Sequence, residues 1–172
     1  MPANEYQSRL QSYTEGKDPL QMQRETPQLL ADLMQGASEQ ALKKSPAPGK
    51  WSVAEILAHL ADDEIVTCWR YRQMLESPGC QLAGFDQDLW AKLGKYSAAD
   101  PRQSLDLFRL LREANLRMLH GLNSQQWDCW GIHAERGRIS VRDLARHMAG
   151  HDTNHVEQVR GILQSGQICA KP

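Results

Sequence analysis

Apolar residues recur at helical spacing through most of this 172-residue chain, in long segments that open with helix-capping residues. The three clearest segments are 52–75, 100–121 and 140–163, and each begins with a serine or an aspartate. In the first segment, Ser52 and Glu55 have the Ser-x-x-Glu spacing of a capping box. β-Branched residues are sparse, so the pattern predicts an all-α protein built on long helices.

A further helix precedes these three, and its start is ambiguous. Asp18-Pro19 could begin it, because proline suits the first turn of a helix. A continuous helix from that point would carry Pro27 in its interior, which costs about 3 kcal/mol. We therefore predict a start at Thr26 as the N-cap. The core stripe of this helix is then Leu29, Leu30, Leu33 and Met34. Residues 1–18 are polar and are expected to form a short helix or a loose arm.

Two long connections separate the later helices. One runs from about Cys80 to Asp100, and the other covers residues 122–138, with turn signals at Gly131 and Gly137. Helices joined by short loops would form a simple up-and-down bundle, whereas long connections allow the chain to cross over the end of the bundle. The sequence therefore predicts a four-helix bundle with long crossover connections.

Composition excludes several classes of protein. The net charge of −1 and the pI of about 6.6 argue against binding nucleic acid through a broad basic surface. No apolar run approaches the roughly 20 residues of a membrane span, and no signal peptide is recognisable, so a cytoplasmic location is expected. The four cysteines are scattered without a Cys-x-x-Cys pair, which predicts reduced, unligated thiols, with Cys169 a candidate exposed thiol. The length suits one domain, 1–172, with its core in about residues 20–165.

The last predicted helix carries three histidines, His147, His151 and His155, each four residues after the one before. Residues four apart lie on one helix face, so two such imidazoles can point at one metal ion. At about 100° per residue, His155 projects into the apolar stripe, His151 lies on its flank and His147 is rotated further away. The pair His151 and His155 is therefore predicted to face inward. The alternative is that these are core histidines satisfied by hydrogen bonds, although an unmet buried nitrogen costs about 1–3 kcal/mol.

His59 is the candidate third ligand. It lies in the helix that Ser52 caps, on the flank of that helix's apolar stripe. Three protein ligands with one position left open are typical of a catalytic zinc site. The remaining histidines, His120 and His133, fall near a helix end and in a connection, and we expect both at the surface.

Acidic residues near these histidines are candidates for supporting roles. Asp152 follows His151, at the position where zinc helices of the His-Glu-x-x-His type keep their general base, but its side chain is shorter. Glu55 and Asp63 lie one turn either side of His59, and either could orient it through its second ring nitrogen. The alternative for Asp62-Asp63-Glu64 is a solvated helix face.

Three blocks of the sequence, 46–60, 84–90 and 139–159, together resemble the DinB/YfiT-like family of small bacterial metal-binding proteins. The resemblance spans about residues 20–165. It implies a four-helix bundle, a metal triad formed by His59, His151 and His155, and a homodimer. It also implies zinc, nickel or a similar divalent ion, and characterised relatives include thiol-dependent S-transferases and isomerases that use bacillithiol or mycothiol.

The metal site and the resemblance together predict a metal-dependent enzyme. The expected reaction is thiol-dependent S-transfer or hydrolysis, acting on a small electrophile, with one divalent ion and a low-molecular-weight thiol as a candidate second cofactor. One alternative is a metal-binding stress or damage-response protein without turnover. A third hypothesis is a bundle whose histidines are structural and hold no metal. The sequence does not separate these hypotheses.

Overall fold

The computed structural model describes residues 3–168, so Cys169 lies outside the described part of the chain. Helices and short strands follow one another in the order α1 (Ala3–Tyr13), α2 (Pro19–Leu33), α3 (Glu39–Lys43), α4 (Val53–Glu76), β1 (Cys80–Leu82), α5 (Gln87–Leu93), α6 (Pro101–His120), α7 (Ser124–Trp127), β2 (Trp130–His133), β3 (Gly137–Ser140) and α8 (Val141–Ile168). A single turn of 3-10 helix, Tyr96–Ala98, links α5 to α6.

The long helices α2, α4, α6 and α8 form the predicted four-helix bundle. Helix α4 packs on α6 and α8, α2 packs on the same two helices, and α1 lies against α8. One core cluster takes a residue from each of the four helices: Leu30, Leu57, Phe108 and Val159. A second cluster fills the other end of the bundle, where Leu82 of β1 and Ile139 of β3 join it. Buried polar residues of α4, α6 and α8 lie along the helices between the two clusters.

Helix capping follows the sequence closely. Ser52 and Glu55 form both hydrogen bonds of the capping box at the start of α4. The Asp100 side chain accepts from two backbone N–H groups at the start of α6. Ser140 Oγ accepts from the backbone N–H of Asp143 and its own N–H donates to the Asp143 carboxylate, which fixes the first turn of α8. Helix α8 continues to residue 168, five residues beyond the predicted end.

The predicted start of the first bundle helix is wrong. Helix α2 begins at Pro19, with Asp18 as its N-cap, and Pro27 lies in its interior. A proline at 27 removes the hydrogen bond that the Gln23 carbonyl would normally accept. That carbonyl instead accepts a hydrogen bond of 2.9 Å from Nη1 of the buried Arg112 on α6, so the polar group stays satisfied. Leu29, assigned to the core stripe, is 44% exposed.

The two long connections contain a small sheet that the sequence analysis did not predict. Strand β2 pairs in parallel with β1 and in antiparallel fashion with β3. Gly137 has a φ of +67° and makes the turn of the β2–β3 hairpin, as its turn signal indicated. Gly131, by contrast, lies within strand β2, where a Cβ would come within 2.8 Å of the Leu82 side chain. Through this sheet, the two long connections are hydrogen-bonded to each other at one end of the bundle.

No helix within residues 3–168 is both long enough and apolar enough to cross a membrane.

Candidate metal centre

The structure brings together the three predicted histidines, His59 from α4 and His151 and His155 from α8. The Nε2 atoms of His59 and His151 lie 3.3 Å apart, and those of His151 and His155 lie 3.1 Å apart. All three residues are buried, and their candidate ligand atoms lie within 4.8 Å of one another. Helix α4 and helix α8 therefore present three imidazoles to a single point in the bundle.

The spacing of these nitrogen atoms fits a divalent metal ion. With metal–nitrogen bonds of about 2.0–2.1 Å and tetrahedral angles, neighbouring ligand nitrogens lie about 3.3–3.4 Å apart. The two Nε2–Nε2 separations, 3.1 and 3.3 Å, are close to that value. Burial, with the charge of His155, lowers the pKa of His59 to about 3, and burial lowers the pKa of His155 to about 4. Burial also holds the pKa of His151 well below its usual value. All three imidazoles are therefore neutral near pH 7, which is the ligating form.

Hydrogen bonding sets the orientation of one of the rings. Nδ1 of His155 lies 2.9 Å from Oε1 of Gln158, and an amide oxygen can only accept, so Nδ1–H is the donor. That assignment leaves the lone pair of His155 on Nε2, facing the other two histidines. The Nδ1 atoms of His59 and His151 have no hydrogen-bond partner within the described residues. A cation between the three Nε2 atoms would satisfy their lone pairs together, and the residues present therefore fit such an ion.

Asp63 faces the same point from α4. Its Oδ2 lies 3.4 Å from Nε2 of His151 and 3.7 Å from Nε2 of His59. Burial and then the charge of Glu64 raise the pKa of Asp63 to about 7, against the opposing effect of Arg70. The carboxylate thus lies on the ligand side of the imidazoles and not against Nδ1 of His59.

Neither Glu55 nor Asp63 binds the second ring nitrogen of His59, so the prediction that one of these acids orients the ring is wrong. Glu55 uses its carboxylate to accept hydrogen bonds from the backbone N–H and the hydroxyl of Ser52. Asp63 approaches the Nε2 side, as described above. The ring of His59 is instead held by packing, with its centroid 4.9 Å from that of Trp51.

Asp152 is placed in a buried ion-pair cluster. Both of its carboxylate oxygens bind the guanidinium of Arg112, with Nη2 to Oδ1 at 3.1 Å. Nη2 of Arg112 also donates to Glu64 at 2.8 Å, and Asn115 donates to the other oxygen of Glu64 at 2.8 Å. Because Arg112 also reaches the Gln23 carbonyl, this one side chain links all four bundle helices.

The hypothesis that Asp62-Asp63-Glu64 forms a solvated face is wrong. Glu64 is fully buried in the Arg112 cluster, and Asp62 accepts a hydrogen bond from the hydroxyl of Tyr96. The three acids point in different directions because consecutive helical residues are turned by about 100°. These three consecutive acids therefore lie in three different environments, which the sequence pattern did not indicate.

Two cavities meet at the histidine triad. Cavity A, of about 560 Å³, has His151, His155 and Trp51 in its wall. Cavity B, of about 440 Å³, has His59, His151 and Asp63 in its wall. His151, Tyr6 and Gln87 contribute to both, and residues 84–88 of the first long connection line one or the other. Each cavity therefore has two histidines of the triad in its wall.

Sequence reasoning missed several residues of cavity B. His133 was expected at the surface but is buried, and it lines this cavity with Arg70 and Arg136. His133 and Arg136 belong to the unpredicted β2–β3 hairpin, so their approach to α4 had no signal in the helical pattern. His147 is not one of the three clustered histidines, as predicted, and it also lines cavity B. His120 is exposed, as expected.

The sequence profile of the DinB superfamily matches residues 22–159. The chain belongs to the DinB superfamily. Among its relatives in this superfamily is YfiT of Bacillus subtilis, provisionally named a metal-dependent hydrolase, which is 25% identical over 160 residues covering 92% of this chain and 90% of YfiT. A protein of Oceanobacillus iheyensis with the same provisional name is 21% identical over 136 residues, covering 79% of this chain and 78% of the relative.

Solved structures confirm the fold of this DinB-superfamily protein. The structure of Bacillus subtilis YfiT, described as a probable metal-dependent hydrolase with an unusual four-helix bundle topology, superposes with a TM-score of 0.81 at 21% identity, covering 87% of this chain and 86% of YfiT. The mycothiol-dependent maleylpyruvate isomerase superposes with a TM-score of 0.60 at 12% identity, covering 80% of this chain and 56% of that enzyme.

Proposed function

We propose that this protein is a divalent-metal-dependent enzyme that acts on a small molecule. The observation that carries the proposal is the convergence of three buried Nε2 atoms, from His59, His151 and His155, where two cavities meet. A divalent ion held there would act as a Lewis acid, lowering the pKa of a water or thiol and polarising a carbonyl. Three imidazoles suit zinc or nickel, and zinc is the first ion to test.

The surrounding residues have separable roles in this proposal. Gln158 holds the ring of His155 and Trp51 packs on the ring of His59, so both imidazoles are positioned before an ion arrives. Asp63 lies on the open side of the triad, where its carboxylate can accept a proton from a bound nucleophile and return it to a leaving group. We assign Asp152 a positioning role, because both of its oxygens are bound to Arg112. Asp63 therefore replaces Asp152 as the candidate base.

Hydrolysis is the reaction that the provisional names of the relatives suggest. A second candidate is thiol-dependent S-transfer to a small electrophile, with a low-molecular-weight thiol as cosubstrate. The presence of two cavities supports it, because His151 lines both and each could hold one of the two reactants. Both cavities fall within the range of about 300–1,000 Å³ that is usual for small-molecule sites. Their presence supports an enzyme over a metal-binding protein without turnover.

We also propose that the protein forms a homodimer. Leu107 and Leu110 on α6 are 46% and 58% exposed, which supplies an apolar surface for a second copy. The single-domain assignment of residues 1–172 and a cytoplasmic location likewise remain predictions.

The proposed activity can be tested with zinc-loaded, nickel-loaded and chelator-treated protein on a panel of esters, amides and lactones. The same preparations are offered 1-chloro-2,4-dinitrobenzene with and without bacillithiol or cysteine. A His59→Ala/His155→Ala double variant reports on the triad, and His120→Ala, at an exposed histidine, is the matched control. We expect turnover that needs the metal, survives in the control and is lost in the double variant. A metal-loaded protein that turns over none of these compounds would favour the non-catalytic alternative.

A further inference from the structure

Two arginines reach cavity B without a carboxylate partner. Arg70 on α4 is only 7% exposed; its Nη2 donates to the Ala83 carbonyl at 2.7 Å, and its Nε has no hydrogen-bond partner. Arg136 lies in the β2–β3 turn and is half-buried. Within residues 3–168, no carboxylate oxygen comes within 4.0 Å of either guanidinium. Both side chains line cavity B beside His59 and His151.

Arg112, a buried arginine with a structural role, differs from these two because it has carboxylate partners. Its guanidinium is fully buried and is neutralised by Asp152 and Glu64, with a backbone carbonyl as a further partner. Removing a charge from water without a partner costs several kcal/mol. Arg70 is buried and Arg136 is half-buried, yet neither has a carboxylate within 4.0 Å, so no direct ion pair neutralises either guanidinium.

The acidic residues that line cavity B act on these arginines only from a distance. Asp86 uses Oδ1 to accept from two backbone N–H groups at the start of α5. Asp63 lies against the histidine Nε2 atoms, and its charge raises the pKa of Arg70 less than burial lowers it. Glu135 is exposed, and it raises the pKa of Arg136 less than burial and Arg70 lower it. The arginine side of the cavity therefore remains cationic in character.

We propose that cavity B binds an anionic oxygen group of the substrate, a carboxylate or a phosphate, through Arg70 and Arg136. A guanidinium matches both groups because its N–H donors form paired hydrogen bonds to two oxygens. His59 and His151 lie in the wall of the same cavity, so an anchored anion presents the rest of a small molecule to the triad. The volume of about 440 Å³ admits a short organic acid or phosphate ester. This inference rests on the proposed function for the reaction but not for the anion site itself.

The test is isothermal titration with succinate, inorganic phosphate and the uncharged succinamide, at constant ionic strength. Zinc-loaded and chelator-treated protein are titrated in parallel, because an anion could also bind a metal directly. The diagnostic variant is Arg136→Gln. Arg138→Gln is the matched control from the same hairpin, because Arg138 is exposed, stacks 4.4 Å from the Trp130 ring and does not line cavity B.

We expect wild-type protein and Arg138→Gln to bind succinate or phosphate alike, and not succinamide. Arg136→Gln should bind at least about tenfold more weakly, equivalent to about 1.4 kcal/mol. Binding of succinate but not phosphate identifies the anion as a carboxylate, and the reverse identifies it as a phosphate. The inference is overturned if neither anion binds, if both variants lose binding equally, or if Arg136→Gln binds as wild type does.

Zinc content is measured on the same samples, which separates this inference from the proposed function. A protein that holds zinc but binds neither anion retains the proposed function and loses the inference. A protein that binds the anion through Arg136 but holds no metal retains the inference and loses the proposed function.

Discussion

Replacing the buried Arg112 with methionine should destabilise the whole bundle. Arg112→Met removes the guanidinium that binds Asp152 and Glu64 and that satisfies the Gln23 carbonyl. Methionine keeps an unbranched apolar side chain but has no hydrogen-bond donor. The variant therefore leaves two buried carboxylates without their cation and a helix carbonyl without its donor.

Breaking a buried ion pair by removing one partner costs about 3–5 kcal/mol. In a domain of this size, each kcal/mol lowers the unfolding temperature by about 2–4 °C, so we expect a fall of roughly 6–20 °C. Burial already raises the pKa of Asp152 and the Arg112 charge lowers it, so removing Arg112 raises this pKa further above the unfolded value. The folded variant then binds more protons than the unfolded chain, and its deficit relative to wild type should shrink as the pH falls from 7 towards 5.

Urea unfolding, followed by circular dichroism at several pH values, measures this free energy. Arg109→Met is the matched control on the same helix, because Arg109 is exposed and pairs with Asp106 at 3.4 Å. An exposed pair contributes about 0–1 kcal/mol, so the control should unfold nearly as wild type does. A loss below about 1 kcal/mol in Arg112→Met, or one equal to that of the control, would refute the assignment of this cluster as the link between the four helices.

Further variants test the packing of α1 on α8 and the role of Asp63. Gly150→Ala places a Cβ 2.3 Å from the backbone oxygen of Leu10, so α1 must move off α8, and we expect a loss of about 1–3 kcal/mol in urea unfolding with faster amide exchange in α1. Gly161→Ala, which meets no atom within 4 Å, should instead be neutral or stabilising by up to about 1 kcal/mol, and equal behaviour of the two variants would contradict the close approach. Asp63→Asn should keep its metal but lower turnover by about 10²–10⁴, and unchanged turnover would remove Asp63 as the base.

The parts of the fold that local chemistry determines were predictable. Ser52 with Glu55, Asp100 and Ser140 begin their helices as expected, because an N-cap needs only a side chain and the next few backbone N–H groups. Helix geometry likewise predicted that the side chains of His151 and His155 point into the bundle on the same helix face. These inferences required no knowledge of which helices become neighbours.

The errors lie where residues far apart in sequence meet. Pro27 was expected to exclude a helix from Pro19, and it does not, because Arg112 lies 85 positions later and supplies the missing hydrogen bond. Strand β1 pairs with β2 across about 50 residues of sequence, and all three strands have only three or four residues, which is too short a pattern to recognise. His133 and Arg136 line cavity B because they belong to the β2–β3 hairpin, so this cavity could not be assembled from the sequence.

The most direct test of the account is the metal content of untagged protein measured by inductively coupled plasma mass spectrometry. Wild type, a His151→Ala/His155→Ala double variant and His120→Ala are purified and reconstituted with zinc or nickel in the same way. If the histidine triad binds a metal, we expect about one divalent ion per chain in wild type and in His120→Ala, and none in the double variant. A wild-type protein that holds no metal after reconstitution, or a double variant that holds as much as wild type, would contradict it.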